Sequence, residues 1–134
     1  MKKNIYGVVS PNKVELPEFE LIGGKRYAFF AKARLDNRDD LIAELKLESQ
    51  TQDNSIVTNA FLKWGKKVVN KLCGDWYLIV FDYQERELWI ARDQLGYTAI
   101  YYTIIGQQIH FSNRINTLID RFQPVLNEKA LICK

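Results

Sequence analysis

The side chains with chemical potential in this sequence are two cysteines, one histidine, a glycine–lysine turn, an aspartate at a helix start, an Arg–Asp pair and a run of lysines. Cys73 and Cys133 are too few for a disulfide framework, and with one histidine they make no metal set. They read as thiols in a reducing compartment. His110 lies between Ile109 and Phe111 in a strand pattern, so it points away from their face. With no partner at hand it reads as structural rather than as a general base. No Gly-x-Ser-x-Gly elbow presents a serine nucleophile. Gly23-Gly24-Lys25 lacks the Ser or Thr that a phosphate loop carries after its lysine, and no capped helix follows, so a hairpin turn is the better reading. Asp53 could hold a ligand ammonium, but a helix cap is the commoner task of an aspartate there. Arg92-Asp93 closes a strand before Gln94-Leu95-Gly96-Tyr97, where a charged pair fixes a loop and Gly96 lets it bend. Lys63, Lys66, Lys67 and Lys71 could meet phosphates, yet a solvated helix face explains them.

These residues must be carried by one domain. The chain has 134 residues, 47% hydrophobic and 26% charged, with a net charge of +3. That balance fits a soluble fold and gives no footprint for nucleic acid or membrane. No stretch nears the ~20 apolar residues of a membrane span. Ser10-Pro11 interrupts the only apolar run near the start, so no signal peptide is read and the cytoplasm is expected. Ile5 to Val9 reads as a strand, and Phe19–Ile22 and Arg26–Ala33 flank the glycine turn. Asn37 starts a short helix with Leu41, Ile42 and Leu45 buried. Asp53 or Asn54 starts a longer one, with Ile56, Val57, Ala60, Phe61, Trp64 and Val68 at helical spacing. Strands follow at Trp76–Phe81, Glu87–Ala91, Ala99–Ile105 and Gln108–Ser112, which short turns would join as an antiparallel meander. The unbroken apolar run Trp76–Phe81 requires cover on both faces, by helices on one side and a second sheet or partner domain on the other. Ile115, Leu118 and Ile119 begin a further helix, and Asn127 starts another. The residues alone reach an α+β domain with an antiparallel sheet.

A resemblance carries further. Gly74-Asp75-Trp76, Phe81-Asp82, Leu88-Trp89-Ile90-Ala91-Arg92-Asp93-Gln94-Leu95-Gly96, Tyr101-Tyr102 and Phe111-Ser112 resemble, in order and spacing, the glutaminase-type domain of asparagine synthetases over Leu35 to Leu118. The resemblance implies a class II glutamine amidotransferase domain, with the α+β, Ntn-hydrolase-like αββα sandwich of antiparallel sheets. It makes Gly74, Asp75, Arg92, Asp93 and Gly96 structural motif residues. In that family an N-terminal cysteine attacks glutamine with its own α-amine as base, an Asn-Gly-Glu stretch supplies oxyanion donors, and an aspartate holds the substrate α-amino group. Here Met1 is followed by Lys2, and Lys32-Ala33-Arg34 stands where Asn-Gly-Glu would be. Asp53 alone matches a substrate-binding position. Ala33 to Asp39, and Trp76 after Gly74-Asp75, look closer to β-lactam synthetases and lasso-peptide cyclases, whose N-terminal domain is a structural partner of the synthetase half.

The resulting expectation is one degenerate amidotransferase domain over residues 1–134, with no catalytic residue, no metal and no cofactor of its own. ATP and Mg would belong to a synthetase domain outside this chain, and that domain, a separate ligase subunit or a peptide substrate would be its partner. Two alternatives stay open. One is an active glutamine-hydrolysing domain supplying ammonia for asparagine synthesis, with Cys73 or Cys133 as nucleophile. The other is a stand-alone partner- or peptide-binding module.

Overall fold

Two kinds of periodicity build the molecule, period two in its strands and a helical stripe in the segment between them. The structure is a computed structural model describing residues 5–16, 18–93 and 100–122. Its elements are β1 (Tyr6–Ser10), β2 (Lys13–Glu15), β3 (Glu20–Ile22), β4 (Tyr27–Leu35), α1 (Arg38–Leu45), α2 (Asp53–Trp64), a 3₁₀ helix (Gly65–Asn70), β5 (Gly74–Asp82), β6 (Glu87–Arg92), β7 (Tyr101–Ile105), β8 (Gln108–Ser112) and α3 (Ile115–Phe122). The glycine pair makes the expected hairpin: Ile22 faces Tyr27, and Gly23 and Gly24 both take positive φ. The long helical stripe is shorter than read, since Val68 belongs to the 3₁₀ helix after Gly65 ends α2. Gly96, Cys133 and the helix expected from Asn127 lie outside the described residues.

Among the described residues all strand pairs are antiparallel, in two four-stranded sheets ordered β2-β1-β8-β7 and β3-β4-β5-β6. The last four strands are therefore not one meander. β5 pairs with β6 in one sheet, β7 pairs with β8 in the other, and the chain passes between sheets after Asp93. The reason is burial. Every residue from Trp76 to Phe81 is buried, and a single sheet with helices on one side would leave alternate members of that run in water.

β5 shows how both faces are filled. Trp76, Leu78 and Val80 pack with Ile56, Val57, Ala60 and Phe61 of α2. Tyr77 and Ile79 point the other way, into a core with Ile5, Ile90, Ile100 and Phe111, while Phe81 meets Val9 and Ala28. Burying each such side chain is worth about 1.5–3 kcal/mol. Across the first sheet α3 packs on β8 and β7, so the layers run helix, sheet, sheet, helix. Within the first sheet Phe111 of β8 lies over its register partner Gly7 of β1; a Cβ at Gly7 would sit 2.2 Å from the Phe111 ring.

Polar bonds pin the ends of these layers. Arg26 donates from Nε and Nη2 to both oxygens of Asp82 at 3.0 and 2.8 Å, holding that carboxyl below its usual range. Asn37 stands before α1 without capping it by its side chain. Its Nδ2 donates to the Lys71 carbonyl at 2.8 Å and its Oδ1 accepts the Cys73 N–H at 3.1 Å. The lysine face is likewise engaged, with Lys66 ion-paired to Glu87, Lys71 to Glu44, and Lys63 and Lys71 over the Trp64 ring.

Candidate functional site

Asp53, Gly74, Asp75 and Asp93, four of the residues singled out in the sequence, come together at the far end of β4 and the start of β5. β3 pairs with β4 only from Tyr27 to Phe29, so beyond that the outer edge of β4 needs other acceptors. The start of α2 supplies them. Asn54 Oδ1 accepts the Ala33 N–H at 2.8 Å, and Asp53 Oδ2 accepts the Leu35 N–H at 2.8 Å. Asp53 Oδ1 accepts Nη1–H of Arg38 at 2.7 Å, and the pair is about a quarter exposed, at 22% for Asp53 and 32% for Arg38. Arg38 also donates to the carbonyls of Ser49 and Thr51, which fixes the loop between α1 and α2. Neither Asp53 nor Asn54 is the helix cap expected from local sequence. Gln52 holds that position, and its side chain makes no cap bond.

Next to this latch lies a charged triad. Arg34 and Asp75 face each other across β4 and β5, and Arg34 donates from Nε and Nη2 to Asp75 Oδ2 at 3.0 and 2.9 Å. Its Nη1 donates to Asp36 Oδ1 at 2.6 Å. The bonds to Asp36 and Asp75 raise the guanidinium above its already high range. Gly74 starts β5 at φ +132°, and a Cβ there would lie 2.1 Å from the Arg34 carbonyl oxygen. Only glycine lets β4 and β5 meet at this point.

Asp93 directly follows β6. It is buried, its Oδ2 accepts the Trp76 N–H at 2.9 Å, and its own N–H donates to the Trp76 carbonyl at 2.9 Å. Arg92 lines a cleft of about 810 Å³ on the helix-facing side of β5 and β6, with Lys66, Leu72, Trp76, Trp89 and Asp93. Its wall is aromatic with a mixed-charge rim, a shape suited to binding. Among the described residues no three His, Cys, Asp or Glu side chains gather to hold a metal ion. No helix among them is long and apolar enough to cross a membrane.

His110 is elsewhere, on the outer face of the first sheet. Its Nδ1 meets the Tyr6 hydroxyl at 2.6 Å and its Nε2 meets Gln108 Oε1 at 3.0 Å. Those partners assign a neutral ring that accepts the phenol proton at Nδ1 and donates from Nε2. Burial first, and then the charges of Arg121 and Lys13, hold its pKa below the ordinary value. Cys73 is an exposed thiol. Sequence reasoning missed Arg38 and Asn54 as site-forming residues, because their partners lie in other elements and no local spacing announces them.

Comparison with known proteins follows the same segment. Residues 17–120 match a protein family described as "Glutamine amidotransferase domain", a wider span than the resemblance read over Leu35 to Leu118. Asparagine synthetase [glutamine-hydrolyzing] 3 of Bacillus subtilis (strain 168) is 27% identical over 100 residues, which cover 72% of this chain and 16% of that protein. The solved structure of glutamine phosphoribosylpyrophosphate (PRPP) amidotransferase from B. subtilis, complexed with ADP and GMP, superposes with a TM-score of 0.62 at 12% identity. That match covers 89% of this chain and 37% of the other, and at such identity it speaks for the fold alone.

Proposed function

This chain belongs to the glutamine amidotransferase domain family, and from that premise we propose that it is the non-hydrolysing, scaffolding form of that domain in an asparagine-synthetase-like, ATP-dependent amide-forming system. The observation that carries the reading is the inward commitment of the positions the family would turn toward glutamine. Asp53 has one oxygen on Leu35 and the other on Arg38. The Ala33 N–H, in the stretch that stands for the oxyanion donors, is bonded to Asn54. Arg34, where the family carries Glu, is closed into ion pairs with Asp36 and Asp75. Freeing one charge-assisted bond costs about 1.5–3 kcal/mol, and each ~1.4 kcal/mol weakens a ligand tenfold. Asp53 is thus a latch between α2 and β4, not a receptor for the glutamine ammonium.

In this reading the sandwich presents a surface to a synthetase domain or separate ligase subunit, and ATP and Mg act there. The exposed thiol of Cys73 suits a reducing compartment, so we place the system in the cytoplasm. The test is incubation of the purified chain with glutamine while glutamate is measured. Glutamate is expected to appear only at the spontaneous rate. Release in proportion to protein concentration, abolished by Cys73→Ser or Cys133→Ser, would instead establish the active glutaminase.

A further inference from the structure

The four strands that end the two sheets are not alike. β2 carries Lys13 and Glu15, β3 carries Glu20, and β6 carries Glu87 and Arg92, the charged residues with which sheet edges ordinarily repel added strands. β7, Tyr101-Tyr102-Thr103-Ile104-Ile105, carries no charge and no proline. Its hairpin with β8 closes through Gly106-Gln107 and pairs Ile105 with Gln108. A two-residue hairpin makes that first pair a hydrogen-bonded one. Tyr101, Thr103 and Ile105 therefore commit their backbone groups to β8, and Tyr102 and Ile104 aim theirs away from the sheet. No described residue bonds those outward groups.

The side chains continue the same open pattern. Tyr102 and Ile104 share the face turned toward the second sheet; Tyr102 packs on the core there, but Ile104 is 60% exposed. Register runs Ile104 beside Ile109, Ile109 beside Val9 and Val9 beside Val14, an apolar row across the whole sheet that stops in water at Ile104.

We propose that a second copy of this chain completes that edge, with β7 pairing antiparallel to β7 about a two-fold axis at Thr103 so that two four-stranded sheets become one continuous sheet. The register is self-complementary. Tyr102 of each copy lies opposite Ile104 of the other, and all four outward N–H and C=O groups of each copy find partners. Thr103 lies opposite Thr103. The exposed Ile104 side chain falls beside the second copy's Tyr102 ring, extending the apolar row. Aromatic–β-branched and Thr–Thr neighbours are favourable cross-strand pairs, and the symmetry brings no charge of β7 against its own kind. The contact is small, so a weak, concentration-dependent dimer is expected.

The test uses the full chain, by light scattering and by amide exchange between ~10 μM and ~1 mM. The mass is expected to rise toward double across that range. Protection of the Tyr102 and Ile104 amides is expected to rise with it, while the Thr103 and Ile105 amides, bonded to β8, stay protected throughout. Ile104→Pro deletes one outward donor and leaves the β8 ladder intact, and Ile104→Lys adds the missing charge. Each is expected to hold the mass at the monomer value. A monomeric mass at ~1 mM with unprotected Tyr102 and Ile104 amides overturns the proposal. So does a dimer that persists in either folded variant. The wild-type amide readout decides the matter even where a variant fails to fold.

Discussion

Asp53 shows what one side chain can be made to do by position. Its carboxylate joins two strand and helix ends through bonds to Leu35 and Arg38. Asp53→Ala leaves a backbone donor and a guanidinium without their acceptor, and partial solvent access limits the cost to about 1–2 kcal/mol. The urea midpoint at neutral pH is expected to fall accordingly, with Asp53→Asn between the two. A substrate-only role for Asp53 predicts an unchanged midpoint, so that result would refute the latch. The sequence made this residue visible but not its task. An aspartate at a helix start looks the same whether it bonds its own helix or a strand eighteen residues earlier in the chain. Asn37 misleads for the same reason, its side chain reaching Lys71 and Cys73 and not the first turn of α1.

Elements are joined here by a close approach as much as by hydrogen bonds. At Gly74 the backbone turns through φ +132° to enter β5 against the Arg34 carbonyl. Gly74→Ala adds strain of about 1–3 kcal/mol from the backbone alone, and the clash with a backbone atom adds to it. The loss is expected to exceed ~3 kcal/mol and to appear as fast exchange of the β4–β5 amides near Leu35. A variant as stable as the parent would show that β4 can shift to make room. Strand positions were legible because β-branched and aromatic runs are bounded by Gly23-Gly24, Asp82 to Arg86 and Gly106-Gln107. β2, a strand of three residues directly following Pro11-Asn12, was not, since so short a stretch has no period to read. The division of the last four strands between sheets was not legible either. Consecutive strands usually pair, and only the need to cover β5 on both faces overrides that preference.

At the scale of the molecule, the doubly buried run Trp76–Phe81 is the feature from which the two-layer core could be inferred, and Tyr77 is its one discordant member. Its side chain is 1% exposed, between the sheets, and its hydroxyl has no hydrogen-bond partner among the described residues. Tyr77→Phe is expected to stabilise the fold by about 1 kcal/mol, read from urea unfolding at pH 7; a lower midpoint would mean the hydroxyl is satisfied. Burial also pushes the phenol up to about 12. A folded-state value above the unfolded one, about 10, gives a contribution that is complete below pH ~10 and lost as pH climbs toward about 12. Alkaline unfolding should therefore begin in that window and move to higher pH in Tyr77→Phe. The pairing of β1 with β8 bears, finally, on how the protein is made. β1 leaves the ribosome well before β8, so Tyr6 must wait for Ser112 to pair. Until then the helix-backed sheet can assemble from β3 to β6 with Tyr77, Ile79 and Ile90 uncovered, beside a β1–β2 hairpin too small to be stable alone. Vectorial synthesis thus gives the nascent chain an interval in which its inner face is open to chaperones, and emergence of β8 ends it.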